Sequence, residues 1–209
     1  MKMKTAPMRL VKLLAWLAFA SAGLQGCAPM LVGGFVGGTM VVSDRRSSGT
    51  QLEDEAIELK TSSRIKENLG DKANANVSSY NRQVLITGEV ANARDKEFAT
   101  QIASQVDNVK AVLNELQIIP FKTYTDRGKN ILLATRVKAN LVDTRDLSAN
   151  AFKIAAEDGT IYLMGRVTKR EADLAVEVVR NTPGVQKVIK VFETLTEDEL
   201  RALLPASKK

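Results

Sequence analysis

Ile161-Tyr162-Leu163-Met164-Gly165-Arg166-Val167, running straight into Thr168-Lys169-Arg170-Glu171, decides the fold. The first seven residues are mostly bulky and apolar, as in a strand buried on both faces. The glycine among them marks close approach of another backbone. The next four have the spacing of a capping box, in which hydroxyl and carboxylate satisfy the orphan amides of a helix start. A buried strand therefore hands over directly to a helix. Val84-Leu85-Ile86-Thr87-Gly88-Glu89-Val90 repeats the strand, and Asn92 with Asp95 is a weaker form of the helix start. Working outward, Arg64-Ile65-Lys66-Glu67-Asn68-Leu69 is echoed by Arg136-Val137-Lys138-Ala139-Asn140-Leu141, and Asn108-Val109-Lys110-Ala111-Val112 by Gly184-Val185-Gln186-Lys187-Val188. The numbering offsets of the three repeats are 136 − 64 = 72, 161 − 84 = 77 and 184 − 108 = 76, so one small domain is duplicated in tandem, with an insertion between its first two elements.

Each copy reads helix, strand, strand, helix, strand, an α+β unit. In copy one Ile57, Thr61, Ile65 and Leu69 form a helical stripe. Ala75, Val77 and Ser79 then alternate as a strand, and Asn81-Arg82 turns the chain into the Val84 strand. In copy two Phe152, Ile154 and Ala156 alternate, and Asp158-Gly159 closes the hairpin with two residues that tolerate positive φ. Asn108 and Gly184 occupy equivalent turns before the last strands, and both accept left-handed backbone. The stretch from Thr196 to Leu204 has room for one or two further helical turns.

The N-terminus reads as a secretory signal over residues 1–26. Lys2, Lys4, Arg9 and Lys12 precede the apolar run Leu13 to Leu24, too short for the roughly 20 residues that span a bilayer. Leu24-Gln25-Gly26-Cys27 resembles a bacterial lipobox, with Gln25 departing from the small residue usual at its position. This assigns Cys27, the single cysteine, as the lipidation site. Ala28, in place of the aspartate that retains lipoproteins in the inner membrane, directs the chain to the periplasmic face of the outer membrane. Residues 27–51 read as a lipid-anchored tether. Gly33, Gly34, Gly37 and Gly38 break its apolar stretch, and Arg45-Arg46-Ser47-Ser48-Gly49-Thr50 reads as plain linker.

Composition excludes several chemistries. Removing the signal's four cations leaves 30 − 4 = 26 Lys+Arg against 24 Asp+Glu, a net +2, which takes away the case for nucleic acid. What charge remains is divided: residues 52–120 carry 8 basic and 11 acidic side chains, residues 121–195 carry 13 and 9. With no histidine and an acylated cysteine, His triads, thiol catalysis and His/Cys zinc sites are not available. Gly33-Gly34-Phe35-Val36-Gly37-Gly38 lacks the strand context and the lysine of a phosphate loop. Asp143 with Asp146, and Glu157 with Asp158, read as solvated loop carboxylates. An aromatic content of 5% argues against a sugar cleft or a base-stacking surface. We expect no enzyme activity, no cofactor, no metal and no small-molecule substrate.

Taken in order, the lipobox, the Gly/Val-rich stretch, Asp44-Arg45-Arg46-Ser47-Ser48-Gly49-Thr50-Gln51 and the two x-Gly-x-Val repeats resemble the dual-BON-domain outer-membrane lipoproteins. The resemblance implies two tandem BON domains, at 52–120 and 121–195, each with two helices on a three-stranded mixed sheet, followed by a tail at 196–209. It also implies a non-enzymatic protein that supports envelope integrity and binds anionic phospholipid through the second domain. Its implied neighbours are the outer-membrane protein assembly machinery or the division site.

The residues indicate independently where lipid would bind. With Val137 at the centre of the buried stripe of copy two's first helix, Leu133, Ala134 and Leu141 face the sheet. Leu132, Thr135, Ala139 and Val142 face away, flanked by Lys129, Arg136 and Lys138, whereas copy one has Lys60, Ser63, Glu67 and Gly70 at the matching places. An apolar strip with basic flanks suits a bilayer interface with anionic headgroups. Where the family often carries a tryptophan on this helix, this chain has an aliphatic residue, which we align to Leu132. Packing against the other domain or the tail, or contact with a protein partner, are the other readings of the strip. A structural or interaction module on envelope machinery, or an oligomer, is the corresponding alternative function.

Overall fold

The computed structural model describes residues 44–119 and 124–203. Cys27 and the signal and tether residues before 44 lie outside them. Domain 1 comprises α1 (Ser48–Leu69), β1 (Ala73–Tyr80), β2 (Gln83–Val90), α2 (Ala93–Ser104), β3 (Ala111–Asn114) and β4 (Gln117–Ile118). Domain 2 comprises α3 (Tyr124–Asp143), β5 (Phe152–Glu157), β6 (Thr160–Thr168), α4 (Lys169–Arg180) and β7 (Lys187–Leu195), and α5 (Glu197–Leu203) follows. In each domain a hairpin supplies two antiparallel strands and a helical crossover returns the third parallel to the second, in orders β1-β2-β3 and β5-β6-β7.

The expected turn chemistry is present. Asn81, Arg82, Asp158 and Gly159 all have positive φ in the hairpins, as do Asn108 and Gly184 before the last strands. The Thr168 capping box forms, with Glu171 returning a carboxylate oxygen to the Thr168 N–H at 3.0 Å. A Thr168→Ala variant is expected to lose about 1 kcal/mol in a urea titration.

One difference lies in domain 1. Its last strand breaks at Glu115-Leu116 and rejoins β2 opposite Glu89 and Val90 as β4. There the Asn114 side chain accepts the Leu116 N–H at 3.0 Å, and Leu116 turns into the core. Domain 2 has the single unbroken strand that the sequence leads one to expect, nine residues long.

Side-chain alternation makes the two domains one body. On β2, Val84, Ile86 and Val90 pack under α1 and α2, while Leu85 faces the other way. On β6, Ile161, Leu163 and Val167 pack under α3 and α4, while Tyr162 and Met164 face the other way. Leu85 and Tyr80 meet Tyr162 and Met164 in a separate buried cluster, bordered by Leu113, Ala155, Ile189 and Val191. The sheets therefore stack back to back, giving four layers in the order helix, sheet, sheet, helix. This explains why β2 and β6 are buried on both faces.

Polar contacts frame the seam. The Tyr80 hydroxyl donates to the Ala151 carbonyl at 3.3 Å, and Lys153 reaches Glu58 and the Ser79 carbonyl. Asn81 bonds Glu193, and Arg127 bonds Asn74 at 2.7 Å. The stretch read as plain linker is part of this frame: α1 starts at Ser48, capped by Ser47, and Arg45 and Arg46 are both engaged.

Candidate functional site

Helix α3 is held by one face. Leu133, Val137 and Leu141, at spacings of four, are buried against domain 2's sheet. Its other face is open: Leu132 is 67% exposed and Val142 61%, with Thr135 and Ala139 exposed between them. The Thr135 hydroxyl donates to the Ile131 carbonyl at 2.8 Å, which leaves the side chain little free polarity. Ile131, 68% exposed, belongs to the same surface. Sequence reasoning passed over it, although its spacing of four from Thr135 places it on that row.

The flanking cations differ in kind. Lys129 and Arg136 are exposed, and Arg136 donates to the Pro183 carbonyl at 2.8 Å. Both line a cleft of about 540 Å³ behind Leu132, completed by Asp158, Gly159, Gly184 and Gln186. Lys138 instead turns inward and donates to the Ala149 carbonyl at 2.6 Å. Burial pulls its pKa below the ordinary lysine value, against the opposing charge of Asp44. It therefore borders a second groove, with Ala139, Val142, Phe152 and Ile154, rather than standing out in solvent.

At the matching places of α1, Lys60, Ser63, Glu67 and Gly70 are all exposed. The face of α1 as a whole is less polar than those four positions indicate, because Leu52 and Leu59, seven residues apart, are 67% and 69% exposed. Among the described residues, no helix is long and apolar enough to cross a membrane, and no group of three potential metal ligands occurs.

Two such units, each a helix, a hairpin, a second helix and a parallel third strand, define a duplicated α+β module. The chain belongs to the BON domain family, which matches it over residues 53–120 and 132–196. It is 36% identical to "Outer membrane lipoprotein DolP" of Haemophilus influenzae, across 88% of this chain and 97% of that protein. It is 31% identical to the "21 kDa hemolysin" of Actinobacillus pleuropneumoniae, across 71% of this chain and 78% of that one. Among solved structures, CdsD, a structural protein of the type III secretion system of Chlamydia trachomatis, aligns with 68% of this chain at 14% identity and a TM-score of 0.30.

Proposed function

We propose that the chain is a lipoprotein anchored by Cys27 to the periplasmic face of the outer membrane, where α3 of domain 2 adds a contact with anionic phospholipid. The observation that carries the lipid contact is the open row of Ile131, Leu132, Thr135, Ala139 and Val142 on a helix whose opposite face is fully packed. The lipobox and the likeness to DolP support the anchor and its address. The protein acts by binding, in support of envelope integrity, and not by catalysis. A diacylated cysteine anchors the chain stably, so a second weak contact on the same chain, acting through effective concentration, chiefly sets where in the membrane the protein sits.

The chain from residue 28 onward, which lacks both the signal and the acylated cysteine, tests this. It is expected to bind vesicles containing anionic phospholipid in preference to neutral ones, more weakly at high salt. Leu132→Glu places a charge in the apolar row and is expected to weaken that binding at least tenfold, from transfer terms of about 1.5–3 kcal/mol per large apolar side chain. Far-ultraviolet circular dichroism should be unchanged. Equal binding to both vesicle types, or wild-type binding by Leu132→Glu, refutes the lipid contact. The second reading, a protein-interaction module, is favoured by one observation, the exposed Leu52 and Leu59 on α1.

A further inference from the structure

The three residues Asp44-Arg45-Arg46 touch both domains at once. Arg45 belongs to domain 2: its guanidinium donates to both carboxylate oxygens of Glu171, at 2.8 and 2.5 Å, and to the Arg166 carbonyl at 2.8 Å. Arg166 returns a bond to the Arg45 carbonyl at 3.4 Å. Arg46, the next residue, belongs to domain 1. It donates to Asp54 of α1 at 2.7 Å, is held by Asp44, and its guanidinium carbon lies 4.2 Å from the Tyr80 ring centroid. Tyr80 is itself one of the four fully buried side chains of the seam. Neighbouring side chains of one backbone are thus fastened to opposite sides of the same interface.

We propose that Asp44-Arg45-Arg46 is a clasp that holds the two sheets together, and that the seam opens when it is disengaged. The seam's own apolar cluster is small, and interfaces of that kind within a chain ordinarily permit the domains to move. The clasp adds what the cluster lacks, a bidentate ion pair with both side chains almost fully buried. Its removal leaves an unpaired carboxylate inside domain 2, which favours water entering there. Its position in the chain gives it a further consequence. The segment that leads from Cys27 into the folded body is the one that closes the body. Tension on the tether is therefore borne by the Arg45–Glu171 pair before it reaches the first turn of α1.

Spin labels on the full chain test this, with Cys27→Ser so that only introduced thiols react, and with Lys60→Cys on α1 and Glu177→Cys on α4 reporting the separation of the outer layers. The parent is expected to give one narrow distance population. Arg45→Met, which keeps the side chain's bulk and leaves the Thr168–Glu171 box intact, is expected to add a longer population, its ratio to the closed form raised on the order of a hundredfold. If Arg45→Met does not fold, Glu171→Gln is read in its place, with the same expectation. A single unchanged population in the folded variant, or a dominant long population already in the parent, overturns the proposal. No lipid enters the measurement, so its outcome is separate from that of the vesicle experiment.

Discussion

Gly88→Ala is expected to destabilise domain 1 by about 3 kcal/mol or more, the combined scale of left-handed backbone strain and overpacking. Gly88 has φ +112°, and a Cβ there would lie 2.1 Å from the Asn74 carbonyl oxygen on β1. That oxygen cannot give way, because Asn74 and Ala75 sit in the ladder opposite Glu89 and Gly88. The Asn74 side chain is also fixed, donating to Glu89 and accepting from Arg127. Gly165 holds the equivalent place in domain 2, with a Cβ position 2.5 Å from the Ala151 carbonyl and φ outside the left-handed range. Gly165→Ala should therefore cost less. Urea midpoints for the two variants, with hydrogen exchange in β1 and β2, check the order. Gly88→Ala with a wild-type midpoint would show that the hairpin relaxes more easily than its register allows.

Asp54→Ala is expected to cost about 3–5 kcal/mol, the loss on removing one partner of a buried charge network. Asp54 is 1% exposed and accepts from the Ser79 hydroxyl, the Asn81 and Arg82 amides and Arg46, at 2.7–2.8 Å. Burial alone would push its pKa up, but those bonds outweigh it and hold the carboxyl below its ordinary 3.8. Glu171, opposed by burial in the same way, is held below its ordinary 4.5 by Arg45 and Thr168. In the unfolded chain both carboxyls protonate at the higher, ordinary values. Their contribution is therefore complete above about pH 4.5 and is lost as pH falls through the lower folded values. Urea titrations at a series of pH values should show wild-type stability falling from about pH 4.5 downward. Asp54→Ala should start lower at pH 7 and fall less steeply.

Much of the fold was legible in the chain because its signals are local. The Thr168 box, the Asp158-Gly159 turn and the glycines inside β2 and β6 each rest on one or two backbone positions. The seam between the sheets was not legible as such. Tyr162 and Met164 announce a strand buried on both faces, but nothing local says that the second covering layer is the other copy. Arg45 and Arg46 were misread for the same reason, since their partners Glu171 and Asp54 are 126 and 8 residues away. The break between β3 and β4 depends on an Asn114 side chain replacing a ladder bond, which periodicity does not register. On α3, helical phase alone separated Leu133, Val137 and Leu141 from the open row. It did not show that Lys138 bends inward, because that depends on a carbonyl from the loop after the helix.

The back-to-back stacking of the sheets has a consequence for reach. Successive layers lie about 10 Å apart, so the helices of the two domains cap opposite poles roughly 30 Å from each other. Leu52 and Leu59 belong to one pole, Leu132 and Val142 to the other. No single flat surface touches both. While the body stays rigid, a surface meeting the first pole stands off from one meeting the second by about the thickness of a bilayer's hydrocarbon core.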